Sequence, residues 1–525
     1  MTPGAACEHP YLSLALAQIP RLLSLEDREA FSKTYGCFDR TYWCWKFTDF
    51  PHPRCQEAVC SLALLWATEF ADSPYYSQPK LLVWAQAGLC FWLKLQHPDG
   101  SHDEAYPYER SLAATAFTCF YIGKAVELIG SKLPPDLASA LRRGLQRAGE
   151  WLCMNDEKHG FLSNHLATAA AACQVIGRVT QDRRVAGRCE YFLERIYRHQ
   201  HEEGWYEEYG GADPGYQTHA TYYLAEIWKH SQDERLLSSL ERSMKFLQHF
   251  IHPDGSLGGE YASRNTEFYF PAGFEILAPA IPEAASIASF MRNSVEREAA
   301  VGLRTMDAFN FMPMLNNYLV AFREGKPISS GKPLFWEIGG EKLFPAAGLY
   351  VRSNTSYYAV VGISKGGVVK VYDRKGRRLK RSDCGCVAKL KSGKWVSSQR
   401  LDRGLAYEKD RHCIRLKAPF HHVSDRLFSP LLFLAFRLFT MTAGRMRRMS
   451  YFIKRQLVLA LVLKKKRVPL VLERTICFGE SDVRIEDKLT GKALSQVVEW
   501  QSAEKFSVVH MGSSRYFVRS ELPEW

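Results

Sequence analysis

The hydrophobic period changes once along this chain, and that single change limits what it can fold into. From about Leu12 to Phe322 apolar residues recur at helical spacing, in segments of ordinary helix length. They are Gln56–Glu69, Lys80–Leu95, Arg110–Leu128, Asp136–Met154, Asn164–Val179, Arg183–His199, Tyr216–His230 and Glu234–Ile251. After about Gly325 the texture turns to short β-rich runs broken by Gly, Asn, Asp and Lys. These are Gly348–Arg352, Tyr357–Ile363, Val368–Tyr372, Cys413–Leu416, Val468–Cys477, Val483–Leu489, Ser507–His510 and Tyr516–Arg519. Linker-type residues cluster at Arg323–Pro333, so the pattern predicts a helical domain over 1–325 and an antiparallel β-domain over 326–525. A length of 525 residues suits two large domains, and 46% hydrophobic with 24% charged residues excludes a disordered or low-complexity chain.

A weak repeat refines the helical half. Four helices end in an aromatic or apolar run and a polar turn with glycine: Leu95 to Gly100, Cys153 to Gly160, Arg198 to Gly204 and Phe250 to Gly255. The glycines lie 60, 44 and 51 residues apart, about one helical hairpin per interval, which suits an α/α toroid. Glycine is expected as the left-handed cap ending each helix, and a bundle with irregular loops is the competing arrangement. In a toroid the segments after the glycines emerge at one end and line one cleft. Polar and aromatic residues collect there: Asp103, Glu104, Tyr106, Glu109, Asn164, His165, Trp205, Glu207, Glu208, Tyr216, His219, Glu260, Arg264, Asn265, Glu267 and Tyr269. Sugar rings stack on aromatic faces and their hydroxyls need amide and carboxylate partners, so the list fits a carbohydrate cleft.

Two local pieces carry a resemblance. Ser163-Asn164-His165 opens a helix, and Tyr216 follows 51 residues after the histidine, at the end of Glu208-Tyr-Gly-Gly-Ala-Asp-Pro-Gly-Tyr216. With the domain order, they make the chain resemble the heparinase II/III-like and alginate-lyase group of polysaccharide lyases. The resemblance implies an α/α toroid followed by a C-terminal antiparallel β-sandwich, an acidic polysaccharide partner, and catalysis by Asn164, His165 and Tyr216. It further implies substrate binding by Tyr106, Glu109, Trp205, Glu208, His219, Arg264, Asn265, Glu267 and Tyr269. Many relatives carry a His-Gly-His-x-x-Asp-like stretch early in the β-domain. Here Gly362-Ile-Ser-Lys-Gly-Gly-Val-Val-Lys-Val-Tyr-Asp373 stands in its place without histidine, so no metal and no cofactor are expected.

The chemistry explains the residue types. β-Elimination in a uronate chain removes the C5 proton, which is weakly acidic while the adjacent carboxylate is charged. Asn164 could stabilise the enolate-like intermediate, His165 or Tyr216 take the proton, and a tyrosine deliver one to the departing O4. A tyrosine, with its ordinary pKa near 10, needs a cation beside it, and Arg264 is the candidate. Plainer roles stand beside these. Asn164 is equally a helix N-cap, Tyr216 a wall aromatic, Arg264 the ion-pair partner of Glu260 or Glu267, and His219 a packed helix residue. The Glu207-Glu208 and Asp103-Glu104 pairs read plainly as solvated loop charges. Competing functions are a uronate C5-epimerase using the same proton abstraction, a toroid glycoside hydrolase pairing Asp103 with Glu207 or Glu208, and a non-catalytic glycan-binding or assembly protein.

The net charge of +13 has a local source. Between Arg426 and Leu472 there are 11 Lys or Arg and no Asp or Glu, interleaved with apolar runs at 428–441 and 457–463. Those runs are too short to span a bilayer. A basic amphipathic insertion at about 426–467, ending in Lys464-Lys-Lys-Arg467, is expected either to lie on an anionic membrane face or to pack on the sandwich and guide an acidic glycan. Met1–Gln18 lacks the basic start of a secretory leader, so the chain is expected to be cytoplasmic, peripheral at the inner face of the membrane. Its fourteen cysteines, among them Cys60, Cys90, Cys119, Cys153, Cys173 and Cys189 at apolar helical positions, are expected to be buried reduced thiols. No P-loop, GxGxxG, HExxH or GxSxG motif occurs, and nothing beyond charge suggests nucleic acid.

Overall fold

The computed structural model describes residues 10–157, 160–328, 332–423, 428–458, 466–502, 504, 506 and 516–517. Its helical half comprises α1 (Pro10–Leu16), α2 (Ile19–Leu25), α3 (Ala58–Ala67), α4 (Pro79–Leu95), α5 (Leu112–Ile129), α6 (Pro135–Met154) and α7 (Ser163–Thr180). It continues with α8 (Arg183–His199), α9 (Pro214–Ser231), α10 (Glu234–Leu247), α11 (Ala272–Leu277), α12 (Pro282–Glu296) and α13 (Ala308–Glu324). The odd-numbered helices α3, α5, α7, α9, α11 and α13 each pack on the next, and α13 returns to α3, which closes an inner ring. These helices are buried almost all round, whereas α6, α8 and α10 bury one stripe and carry charge on the other, as an outer layer must. Proline opens α4, α6, α9 and α12, and Ser111, Asp182, Asp213, Asp233 and Asp307 accept backbone N–H bonds at helix starts. The expected α/α toroid is therefore observed, and the irregular bundle is not.

The repeat marks a recurring joint rather than a helix cap. In three joints the chain turns back after the helix has ended: Gly100 N–H donates to the His97 carbonyl, Gly204 to that of His201 and Gly255 to that of His252, with φ of +93°, +101° and +94°. A Cβ at Gly100 would lie 2.3 Å from the Arg147 carbonyl oxygen, and at Gly204 2.1 Å from that of Arg242, so only glycine lets the turn reach the next helix. The Gln96 amide donates to the Gly144 carbonyl at 2.9 Å, and the Gln200 amide to Ser239 at 2.8 Å, which fastens successive joints to the outer layer in the same way.

Two short strands, β1 (Glu207–Glu208) and β2 (Gly211–Ala212), form a hairpin before α9. After α13 come α14 (Phe335–Ile338) and a five-stranded antiparallel meander of β3 (Gly340–Phe344), β4 (Leu349–Ser353), β5 (Tyr357–Gly362), β6 (Val368–Asp373) and β7 (Arg378–Asp383). The second sheet holds β8 (Cys386–Leu390), β9 (Trp395–Ser397), β10 (Tyr407–Lys409), β11 (Cys413–His422), β12 (Arg467–Phe478), β13 (Val483–Thr490) and β14 (Val497–Ser502). Its order is β13-β12-β11-β9-β8-β14, with β10 on β11. The sheets share one core, with Val361, Val369 and Val371 facing Ile414, Leu416 and Leu472, so the β-half is the expected sandwich. The other face of the meander packs through Val351, Tyr358 and Val360 on the toroid, which is why β5 and β6 are buried on both faces and read as continuous apolar runs. β12 alternates instead, because one of its faces meets solvent.

Two lysines, one on β6 and one in the turn between β5 and β6, reach into the toroid. Lys370 of β6 pairs with Glu260 at 2.6 Å and Glu267 at 3.2 Å. Burial alone would push its ammonium down, yet the two carboxylates hold it well above the ordinary lysine range. Lys365 donates to the carbonyls of Ala262 and Ser263 at 2.9 Å each, and burial pushes it down to about 8. Tyr372 bonds His252 at 2.9 Å, and the far side of that ring bonds Tyr261 at 2.9 Å.

The basic insertion forms two helices between β11 and β12, α15 (Pro430–Met441) and α16 (Arg447–Val458). It packs on the loop end of the toroid rather than on the sandwich. Arg437 pairs with Asp49 at 2.7 Å, Ser450 donates to Tyr108 at 2.9 Å, Tyr451 to Asp156 at 3.0 Å, and Lys454 pairs with Glu109 at 3.0 Å. Arg426, Lys464, Lys465, the strand expected at Ser507–His510, and Val518 and Arg519 lie outside the described residues. Cys413 and Cys477 form a disulfide between β11 and β12, a departure from the expected reduced thiols. Of the helical cysteines, Cys60, Cys119, Cys173 and Cys189 are buried, Cys153 is half-buried and Cys90 is exposed.

Lys370→Met would remove the buried cation that Glu260 and Glu267 share. Denaturant titration should show about 3–5 kcal/mol less unfolding free energy than wild type, and a loss under about 1 kcal/mol would mean the pairs contribute little.

Candidate active site

The β1–β2 hairpin ties the expected residues together. Glu208 lies against the first turn of α7, where its carboxylate accepts from the Asn164 backbone N–H at 2.8 Å and from the Asn164 amide at 2.9 and 3.0 Å. Leu162 occupies the N-cap of α7 and offers no side-chain acceptor, so Glu208 supplies the cap from the distant hairpin. Asn164 is therefore not the cap; it sits inside the first turn, buried, with its amide directed at Glu208. Burial pushes the Glu208 carboxyl up to about 7, against the pull of Arg264 and of the Asn164 hydrogen bonds.

Asp213 follows the hairpin and serves two elements at once. One oxygen accepts from the Tyr216 N–H at 3.0 Å and starts α9, and the other accepts from the Arg264 N–H at 2.8 Å. Arg264 is thereby aimed at Tyr216: Nη2 donates to the phenol oxygen at 3.2 Å, and the guanidinium lies 4.2 Å from the Tyr216 ring centre and 4.8 Å from that of Tyr209. Its buried Nε has no hydrogen-bond partner among the described residues. Pairing of Arg264 with Glu260 or Glu267 is not what forms, since both carboxylates go to Lys370.

His165 Nδ1 lies 2.9 Å from a Glu157 oxygen. A carboxylate there accepts the ring proton, which leaves Nε2 as the acceptor of the neutral imidazole. Phe117 meets His165 edge-on at 5.8 Å and stacks on His219 at 5.5 Å, and Phe268 touches His219 at 6.3 Å and Tyr216 at 5.2 Å. One aromatic patch thus spans His165 and Tyr216. His219 is the packed helix residue: Nε2 meets the Tyr223 hydroxyl at 3.0 Å, Phe270 stacks on it at 4.2 Å, and burial holds its pKa well below the ordinary value.

Several expected binding residues are committed elsewhere, because the post-glycine segments are covered by the sheet on one side and by α15 and α16 on the other. Trp205 is buried and donates to Glu203, whose carboxylate also accepts from Ala346 and Ala347 of the β-half. Tyr269 is wholly buried against Phe274, Glu267 pairs with Lys370, and Asn265 is a buried loop residue with φ of +61°. Tyr106 is covered by Phe436 of α15 at 5.1 Å. Glu109 accepts from the Glu104 and Ala105 N–H groups and pairs with Lys454. Asp103 accepts from Tyr108 and Arg110 N–H groups and meets His97 at 2.9 Å, which removes it from the carboxylate pair a hydrolase would need. Glu208 and Asp103 are thus buried loop-builders, not solvated charges.

Sequence reasoning missed Glu157, Asp213, Lys365, Lys370 and Lys454. Lys370 did leave a trace, a lone cation in Val368-Val-Lys-Val-Tyr372, since a lysine in a doubly buried strand needs a carboxylate. Glu157 and Lys454 left none, because their partners are set by tertiary packing. Burial would push Lys454 down, but Glu109, Glu157 and Glu104 hold it above the ordinary lysine range. No group of three or more His, Cys, Asp or Glu side chains among the described residues forms a metal-ligand set.

The Glu208 environment gives a signed expectation. Its folded pKa of about 7 lies above the ordinary 4.5, so the carboxyl stabilises the fold below about pH 4.5, loses that contribution as pH rises to 7, and is constant beyond. Relative to wild type, the unfolding free energy of Glu208→Gln should climb by roughly 3 kcal/mol between pH 4.5 and 7 and then level off. A difference that is flat with pH would contradict a buried, ionising Glu208.

Residues 41–270 match the family model described as the ulvan lyase N-terminal domain. No curated protein matches the chain. Among solved structures, Paenibacillus xanthan lyase superposes with a TM-score of 0.51 at 10% identity, over 79% of this chain and 44% of that one. Streptomyces coelicolor A3 chondroitin AC lyase, solved with chondroitin sulphate, superposes with a TM-score of 0.50 at 12% identity, over 81% of this chain and 69% of that one. The chain thus spans less than half the length of the xanthan lyase, and identities this low speak to fold alone. Residues 41–270, less than half of the chain, are thus similar to an ulvan lyase N-terminal domain, and the toroid-plus-sandwich fold is shared with the xanthan and chondroitin AC lyases.

Proposed function

We propose that the protein is a polysaccharide lyase that cleaves a uronic-acid-containing chain by C5 proton abstraction and β-elimination. The observation that carries this reading is the Arg264–Tyr216 pair, fixed through Asp213 and set in the same aromatic patch as His165. His165 Nε2 takes the C5 proton, the electrons of the C–H bond form the C4–C5 double bond, and the C4–O4 bond breaks. Tyr216 delivers its proton to O4, and Arg264, charged at any working pH, stabilises the phenolate left behind. Solvent exchange then returns both groups to their starting states.

Charge on the uronate carboxylate grows as the proton leaves, so donors aimed there lower the barrier. The Asn164 amide is the candidate, although both of its hydrogens meet Glu208 in the resting arrangement. Burial pushes the Glu208 carboxyl up to about 7, and its protonation would weaken its hold on the Asn164 N–H groups and release them toward substrate. The xanthan and chondroitin lyases similar in fold are named for acidic polysaccharides, which supports the same class of partner here.

Incubation with a panel of uronate polysaccharides should raise the absorbance near 232 nm that marks a 4,5-unsaturated uronate. Tyr216→Phe should lower the rate by about 10³-fold with the fold intact. Absence of the chromophore together with deuterium uptake at C5 in heavy water would replace elimination by epimerisation, and an undiminished rate in Tyr216→Phe would overturn the site.

A further inference from the structure

We infer that the solvent-facing sides of α15 and α16 are a docking surface for an anionic lipid bilayer, holding the loop end of the toroid against the membrane. On α15 the residues turned to the toroid are Phe436, Arg437 and Thr440, through Tyr106 and Asp49. The opposite stripe, Leu431, Leu434, Leu438 and Met441, follows helical spacing of three, four and three residues and is 80, 56, 59 and 51% exposed. An amphipathic helix packed on a protein ordinarily turns such a stripe inward, and here it faces solvent. Trp45 and Phe47, 68 and 93% exposed, sit on the loop leading to Asp49 and so beside the same helix.

Charge decides what the face meets. Residues 428–458 contain six Lys or Arg and no Asp or Glu. On α16 the exposed residues Arg448, Phe452 and Arg455 again share one face, so the segment that carries the leucine stripe also presents cations and an aromatic to solvent. Apolar side chains that enter the acyl boundary, with arginines at headgroup level, are the chemistry of an interfacial helix on anionic lipid. Attachment would be peripheral. The described helix long and apolar enough to cross a bilayer, Leu112–Lys132, is mostly buried as an inner toroid element. This inference is independent of the catalytic reading, since it needs no substrate.

Sedimentation of the full chain with vesicles tests it, comparing phosphatidylglycerol–phosphatidylcholine mixtures with pure phosphatidylcholine. Wild type should partition onto the anionic vesicles about tenfold or more better than onto neutral ones, and salt should weaken it. The triple variant Leu431→Ser, Leu434→Ser, Leu438→Ser should lose about a hundredfold, with an unchanged melting temperature. Arg448→Gln and Arg455→Gln should each lose about fivefold. If the triple variant melts early, Leu434→Ser and Leu438→Ser are read singly. No partition of wild type at low salt, or undiminished partition of the leucine variants, overturns the inference. So does light scattering that shows a wild-type dimer split by the leucine changes, because a second copy then covers the face.

Discussion

The grip of the five-stranded sheet on one toroid loop is the interaction on which the rest depends. Lys370 neutralises Glu260 and Glu267, and Lys365 ties the carbonyls of Ala262 and Ser263, the two residues before Arg264. A loop of this length at the open end of a toroid has little apolar surface of its own with which to fix a conformation. Ammonium groups from β6 and from the turn before it fix it instead, because a buried cation without these partners would be far costlier than an ordered loop. Arg264 then has one place to go, over Tyr216.

The same logic explains how the β-half belongs to the site through the loops it holds. Glu203 caps Ala346 and Ala347, Tyr372 completes a relay through His252 to Tyr261, and Gly362 leaves room for the Tyr261 backbone at distances where a Cβ would meet it at 2.7 Å. On the opposite flank α16 supplies Lys454 to Glu109 and Tyr451 to Asp156, one residue before the Glu157 that orients His165. Positioning of the toroid's reactive groups is thus distributed over three separate stretches of chain.

That distribution sets what the sequence could disclose. Helical period, proline starts and Asp or Ser caps are local, so α4 through α9 lie within about two residues of their expected ends. The glycine repeat pointed to the toroid, although Gly100, Gly204 and Gly255 turn the chain after the helix has ended instead of capping it. Asn164, His165 and Tyr216 stood out because their spacing matched a known group, and the structure holds Asn164 through Glu208, His165 through Glu157, and Tyr216 through Asp213 and Arg264. Trp205, Glu267 and Tyr269 looked the same in sequence, being aromatic or acidic and after a glycine. What separates them is how the fold covers or pairs them: Trp205 through Glu203, which is itself bonded to the β-half, Glu267 through Lys370, and Tyr269 against Phe274. Long-range electrostatic partners leave no periodicity, so Lys365, Lys454 and Glu157 were invisible.

If the sheet's grip orders the reactive residues, loosening it without touching them must show in turnover. The most direct measurement is the steady-state kinetics of Lys365→Met on a cleaved uronate polymer, at a temperature where circular dichroism shows it folded. The account predicts a kcat at least about tenfold below wild type with KM little changed, because Arg264 loses its fixed position over Tyr216 while the cleft walls stay. An undiminished kcat in a folded Lys365→Met protein would contradict it.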